Sequence, residues 1–126
     1  MSIPNSLKTQ VGGLHYSKYE IQPLSFAEYL QLTPIIFCIF KYLVRYKDKN
    51  GLEDLKKALH CVDVFVECGY KEPVMVGAND LSEFLAQFDK KQANAIFKVL
   101  CLQSDKSHAD KVRELIKELM LEYGDE

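Results

Sequence analysis

From Ser25 onward, helix-start signals follow one another in quick succession, and apolar residues between them return at spacings of three and four. Ser25-Phe26-Ala27-Glu28 has the form of a capping box and predicts a short helix to about Leu32. Thr33-Pro34 supplies an N-cap and a first helical residue, predicting a second helix over residues 34–49. Asn50-Gly51-Leu52-Glu53 repeats the start signal; Leu52, Leu55, Leu59, Val62 and Val66 continue it as a third helix, stopped by Gly69. Asn79 predicts a fourth helix through Phe88, and Asp89-Lys90-Lys91-Gln92 a fifth through about Leu102. Ser107 predicts a sixth, with Val112, Leu115, Ile116, Leu119, Met120 and Tyr123 on one stripe. The only β-like run, Val74-Met75-Val76, is too short and lies between Pro73 and Gly77. The chain therefore reads as all-α: a compact bundle of about six helices forming a single domain over residues 25–126. Residues 1–24, broken by Pro4, Gly12-Gly13 and Pro23, read as an irregular N-terminal arm.

At 126 residues, two independent cores would each fall near the lower size limit, so a single domain is expected. Sixteen Lys plus Arg against eighteen Asp plus Glu leave no broad basic surface, so nothing makes a case for nucleic acid as a partner. The uncharged apolar stretch over residues 29–40 is short of the ~20 residues needed to cross a bilayer, and the first ten residues lack an apolar signal-peptide segment. A cytoplasmic protein with no membrane contact is expected. Cys38, Cys61, Cys68 and Cys101 each sit in an apolar helical pattern, so reduced and buried thiols are expected. No Cys/His spacing fits a zinc site.

The densest polar segment lies where the second helix gives way to the third. Between Lys41 and Lys57 there are Lys41, Arg45, Lys47, Lys49, Lys56 and Lys57 against Asp48, Glu53 and Asp54. Lys41, Arg45 and Lys49 recur every four residues and would form one row, with the third helix folding back to bring Glu53, Asp54 and Lys57 beside it. Cations beside carboxylates suit a phosphate with magnesium, since ammonium and guanidinium groups neutralise phosphate oxygens and a carboxylate holds the hard cation. The same residues equally suit a salt-bridge network around a helix end. A second candidate is Gly12-Gly13-Leu14-His15-Tyr16, where backbone could approach a ligand closely beside a titratable and a stacking group. No G-x-x-x-x-G-K-[ST] and no G-x-S-x-G is present, which excludes a standard P-loop and a serine-hydrolase elbow.

Taken in order, Gly13-Leu14-His15-Tyr16, Pro23, Lys41-Tyr42-Leu43-Val44-Arg45 and Lys49-Asn50-Gly51-Leu52-Glu53-Asp54-Leu55-Lys56-Lys57-Ala58 resemble a small phage-encoded family. It comprises the SaV-like proteins of lactococcal phages and is related to an early nucleotide kinase of T-odd coliphages. The resemblance spans residues 12–68 and leaves residues 72–126 unrecognised. It implies a phage early protein of the host bacterial cytoplasm that binds or phosphorylates deoxynucleoside monophosphates without a P-loop. On that resemblance, Lys41, Arg45, Lys49, Lys57, Tyr16 and Tyr42 would bind substrate, and Asp54, Glu53 and His15 would be catalytic. Asp54 and Glu53 would hold Mg, and a nucleoside triphosphate would be the donor of a kinase reaction. The alternative is a non-catalytic interaction protein engaging a host defence factor, such as an abortive-infection protein. In either case the apolar segment over residues 35–40 and the C-terminal stripe suggest a homo-oligomer, a dimer or larger.

Overall fold

The computed structural model describes residues 19–68 and 78–123, and among them every regular element is helical. The helices are α1 (Pro23–Leu30), α2 (Pro34–Arg45), α3 (Leu52–Cys68), α4 (Ala78–Leu85), α5 (Lys90–Ser104) and α6 (Ala109–Glu122). Single 3-10 turns precede α3 (Tyr46–Asp48) and α6 (Lys106–His108). The linker around Pro73 and Gly77, with its β-like run, lies outside the described residues, as does most of the N-terminal arm.

Three of the six helix starts fall where local chemistry places them. Asp89 caps α5, its carboxylate accepting from the Gln92 N–H at 2.8 Å. Thr33 is the N-cap of α2 and Pro34 its first residue, although the threonine side chain makes no capping bond. Three starts differ from expectation. Proline's fixed φ and missing N–H suit a first helical turn, so α1 begins at Pro23 and Ser25 lies inside it. The fourth helix begins at Ala78, which places Asn79 within the first turn. The 3-10 turn ahead of α6 makes His108 the N-cap, while Ser107 donates its N–H to Asp105 Oδ1 at 2.9 Å. The second helix is also shorter than expected: it ends at Arg45, and the chain turns through Gly51 at φ +54°. A Cβ there would lie 2.9 Å from Tyr123 Cε2, so position 51 requires glycine for both conformation and space.

Helices α2, α3, α5 and α6 form the body of the bundle, α2 packing on α3 and α5, and α6 on α3 and α5. Ile36, Ile39, Phe40 and Leu43 of α2 meet Leu55, Ala58, Val62 and Phe65 of α3, all fully enclosed. Phe84 of α4 closes one end, stacked on Phe26 at a centroid distance of 4.2 Å and on Phe40 at 5.6 Å. Gln87 ties the chain ahead of α1 to this end: its Oε1 accepts from the Ile21 N–H (2.8 Å) and its Nε2 donates to the Ile21 carbonyl (3.2 Å).

Four residues of the C-terminal stripe pack inside the chain. Val112, Leu115, Ile116 and Leu119 are buried between α3 and α5, and Ile36, Ile39 and Phe40 are equally covered. The bundle itself thus covers most of both apolar rows, while Tyr123 stays 42% exposed and Phe37 and Met120 are only partly buried. Cys38, Cys61 and Cys101 are half-buried free thiols, whereas Cys68, at the last position of α3, is exposed rather than enclosed. No described helix is long and apolar enough to cross a membrane.

Ile116→Ala should therefore lower unfolding free energy by about 2–5 kcal/mol in urea titrations, the range for truncating an enclosed branched side chain. Its solution mass by light scattering should equal that of the wild type, because the residue faces the chain's own core. A second check concerns Tyr46, which is 2% exposed. Burial pushes its phenol well above the usual tyrosine range, and Asp89, Glu122 and Tyr123 add to the rise. A raised folded-state value means full stability below the unfolded phenol value, near pH 10, and loss as pH rises beyond it. Tyr46→Phe removes this linkage, so the stability gap between wild type and variant should shift in the variant's favour as pH rises above about 10.

Candidate functional site: the cationic face around Tyr42

Where α3 folds back along α2, the two helices run in antiparallel register. Arg45 meets Asp54, and one turn further on Lys57 reaches the ring of Tyr42. The next step brings Cys61 beside Cys38 and Lys41. The innermost contact is a two-pronged ion pair: Arg45 Nε donates to Asp54 Oδ2 at 3.1 Å and Nη2 to Oδ1 at 3.2 Å. Asp54 is entirely buried, and Asn50 adds donors to both oxygens, its backbone N–H at 3.4 Å and its side-chain amide at 3.5 Å. Helix polarity supports the same arrangement, with the carboxylate in the first turn of α3 and the guanidinium in the last turn of α2.

Three cations surround the ring of Tyr42: Lys41 Nζ lies 5.0 Å from its centroid, Arg45 Cζ 5.1 Å and Lys57 Nζ 5.9 Å. Beside the ring opens a cavity of about 420 Å³ lined by Tyr42, Glu53, Lys56, Lys57, His60 and Cys61. Glu53 is exposed and pairs with Lys57 at 3.1 Å. Burial pushes the Cys61 thiol up, Cys38 adds to the rise and Lys41 opposes it, so the sulfur is a protonated wall group rather than a nucleophile.

The expected site residues divide accordingly. Lys41, Tyr42, Arg45, Glu53 and Lys57 share this face, with Arg45 spending its guanidinium on Asp54. Asp54, expected to hold magnesium, is turned inward with both oxygens engaged, and a cation there would have to displace Arg45. Lys49 is not in the row of Lys41 and Arg45, because α2 stops at Arg45 and residue 49 lies in the turn. His15 and Tyr16 lie outside the described residues. Among the described residues no three of His, Cys, Asp and Glu converge as metal ligands. The cavity also includes Lys56, which belongs to the polar segment singled out above but was given no role, and His60 and Cys61, which were not expected in the site. Their steps of three and four from Glu53 and Lys57 along α3 are the signal that would have found them.

A family model described as a protein of unknown function, DUF3310, matches residues 12–63, a span that contains α1, α2 and every residue lining this cavity. No curated protein and no solved structure matches the chain.

Because Asp54 cannot reach water, Arg45→Ala should destabilise the fold by about 3–5 kcal/mol, as expected for a buried charge stripped of its partner. Arg45→Met combined with Asp54→Leu should recover much of that loss in the same chemical-denaturation measurement, since no unpaired charge remains.

Proposed function

We propose that this chain binds a mononucleotide on the α2–α3 face, with the phosphate held by Lys41, Lys56 and Lys57 and the base or sugar against Tyr42. The observation that carries the reading is the convergence of Lys41 and Lys57 on one half-buried aromatic ring at the mouth of a cavity. Ammonium groups neutralise phosphate oxygens, and an aromatic face supports a planar base. The resemblance of Lys41-Tyr42-Leu43-Val44-Arg45 and Glu53-Asp54-Leu55-Lys56-Lys57 to the SaV-like phage proteins supports the same ligand class, and with it a phage early protein working in a host cell.

Binding is better supported than phosphoryl transfer. With Asp54 committed to Arg45, Glu53 is the one carboxylate among the described residues lining this cavity, and it is already paired with Lys57. That set does not fit a resident magnesium ion, which takes near-octahedral oxygen ligation, so no transfer step is routed through one. A different reading, an interaction protein engaging a host defence factor, draws on the end of the molecule around α1. There Leu24 and Tyr29 stand 59% and 55% exposed, next to a cavity of about 320 Å³ lined by Ala27, Leu32, Pro34 and Phe37.

Calorimetric titration with deoxynucleoside monophosphates distinguishes the two. The nucleotide reading expects saturable heat, reduced at least about tenfold in affinity by Lys41→Ala with Lys57→Ala, at the charge-assisted magnitude of ~1.5–3 kcal/mol per bond. The melting temperature should hardly move, both lysines being partly exposed. Absence of heat with every monophosphate at millimolar concentration would leave the interaction reading in its place.

A further inference from the structure

The contacts between α2 and α3 follow a single register. Arg45 meets Asp54 at 3.1 Å; three residues back along α2, Tyr42 meets Lys57, which lies three residues forward along α3. Four residues further in each direction stand Cys38 and Cys61. Steps of three and four keep a residue on the same face of its helix, so the two cysteines continue the row of facing pairs. Their mutual influence agrees, Cys38 adding to the rise of the Cys61 thiol. Both thiols are free and half-buried, and Cys61 lines the cavity beside Tyr42. Next to this pair Ala58 of α3 is fully enclosed, and a side chain as small as a methyl group at a helix contact lets the axes come close.

The other two thiols are placed differently. Cys68 lies seven residues beyond Cys61, about 10.5 Å along the axis of α3, whereas a disulfide joins Cα atoms no more than ~7 Å apart. Cys101 belongs to α5, and the charge acting on its thiol is that of Lys98.

We propose that Cys38 and Cys61 form a reversible disulfide, made by a hydroperoxide and undone by a dithiol, that switches the shape of the α2–α3 face. A disulfide made only on oxidation is the kind that serves for sensing in a reducing compartment. Because burial holds the Cys61 thiol protonated, oxidation begins at Cys38. The Cys38 sulfur attacks the peroxide, an S–O bond forms as the O–O bond breaks, and the departing hydroxide takes the thiol proton and leaves as water. The Cys61 sulfur then attacks the sulfenic acid. An S–S bond forms as the S–O bond breaks, and a second water carries away the hydroxyl with the Cys61 proton. The two thiols have then lost two electrons to the peroxide, and a dithiol reductant returns them by exchange. Cross-linking draws the Cys61 sulfur out of the cavity wall toward α2. It also fastens the helices at a second point, two turns from Arg45 and Asp54, with Tyr42 held between the two.

The test uses the full chain. Treatment with hydrogen peroxide at neutral pH, followed by blocking with N-ethylmaleimide, should yield peptides joined through Cys38 and Cys61 on non-reducing mass mapping, and dithiothreitol should separate them. The Tyr42 ring should give a new set of NMR signals in the oxidised form that reverts on reduction. Cys38→Ser and Cys61→Ser should each abolish both changes, whereas Cys68→Ser should abolish neither. Peroxide that leaves Cys38 and Cys61 unlinked, or links them no more often than any other pair, would overturn the proposal. A linked form with unchanged Tyr42 signals would overturn it too. Neither readout involves a nucleotide, so the result is independent of the ligand proposed for this face.

Discussion

Everything around the α2–α3 turn depends on the buried pair of Arg45 and Asp54. An ionised carboxylate with no access to water is tolerated only when a cation and further donors take over its solvation, and here the guanidinium and Asn50 do so. The two-pronged geometry leaves little freedom, so it sets the angle and register at which α3 returns along α2. That register in turn places Lys57 against the ring of Tyr42 and opens the cavity beyond it. The pair is best understood as the frame of the cationic face rather than as part of its chemistry.

The same turn is where the rest of the bundle converges. α2 ends with orphan carbonyls, and two of them, on Leu43 and Val44, are satisfied by the amide of Gln92 from α5. Just past α6, Tyr123 packs edge-on against Tyr46 at a centroid distance of 5.4 Å, covers Gly51 and donates its hydroxyl to the Lys47 carbonyl at 3.4 Å. Lys91 and Glu122 pair across α5 and α6 beside it. Residues far away in sequence thus pin the turn, whose Lys47, Asp48, Lys49 and Asn50 stay exposed while the phenol of Tyr46 is carried inside.

One consequence is that, among the described residues, the end of α2 separates two surfaces of different charge make-up. Among the described residues, lysines gather around Tyr42 on one side, and Glu20, Asp48 and Asp89 with Lys47 lie around Gln92 and Phe88 on the other. The chain's nearly balanced composition hides this division, because a net charge of -2 averages over it. Local sign, set by which residues a helix turns to which side, governs what ligand each surface can attract.

Caps and apolar spacing were enough to establish an all-helical chain, the Thr33-Pro34 and Asp89 starts and the C-terminal stripe, because those signals act within a turn or two of backbone. They were also enough to single out the segment from Lys41 to Lys57 as the polar focus. They misplaced the starts at Ser25, Asn79 and Ser107, where neighbouring residues could begin a helix one to three positions earlier or later. They also gave no means to divide the carboxylates by role. Glu53 and Asp54 are adjacent and chemically alike, yet about 100° of helix rotation sends Asp54 inward to Arg45 and leaves Glu53 in solvent. Likewise, nothing local announces that Gln92 ends beneath α2 or that Val112, Leu115, Ile116 and Leu119 find their cover within their own chain. Secondary structure is encoded in short-range spacing, whereas burial, ion pairing and the sign of each surface arise only when helices distant in sequence are packed together.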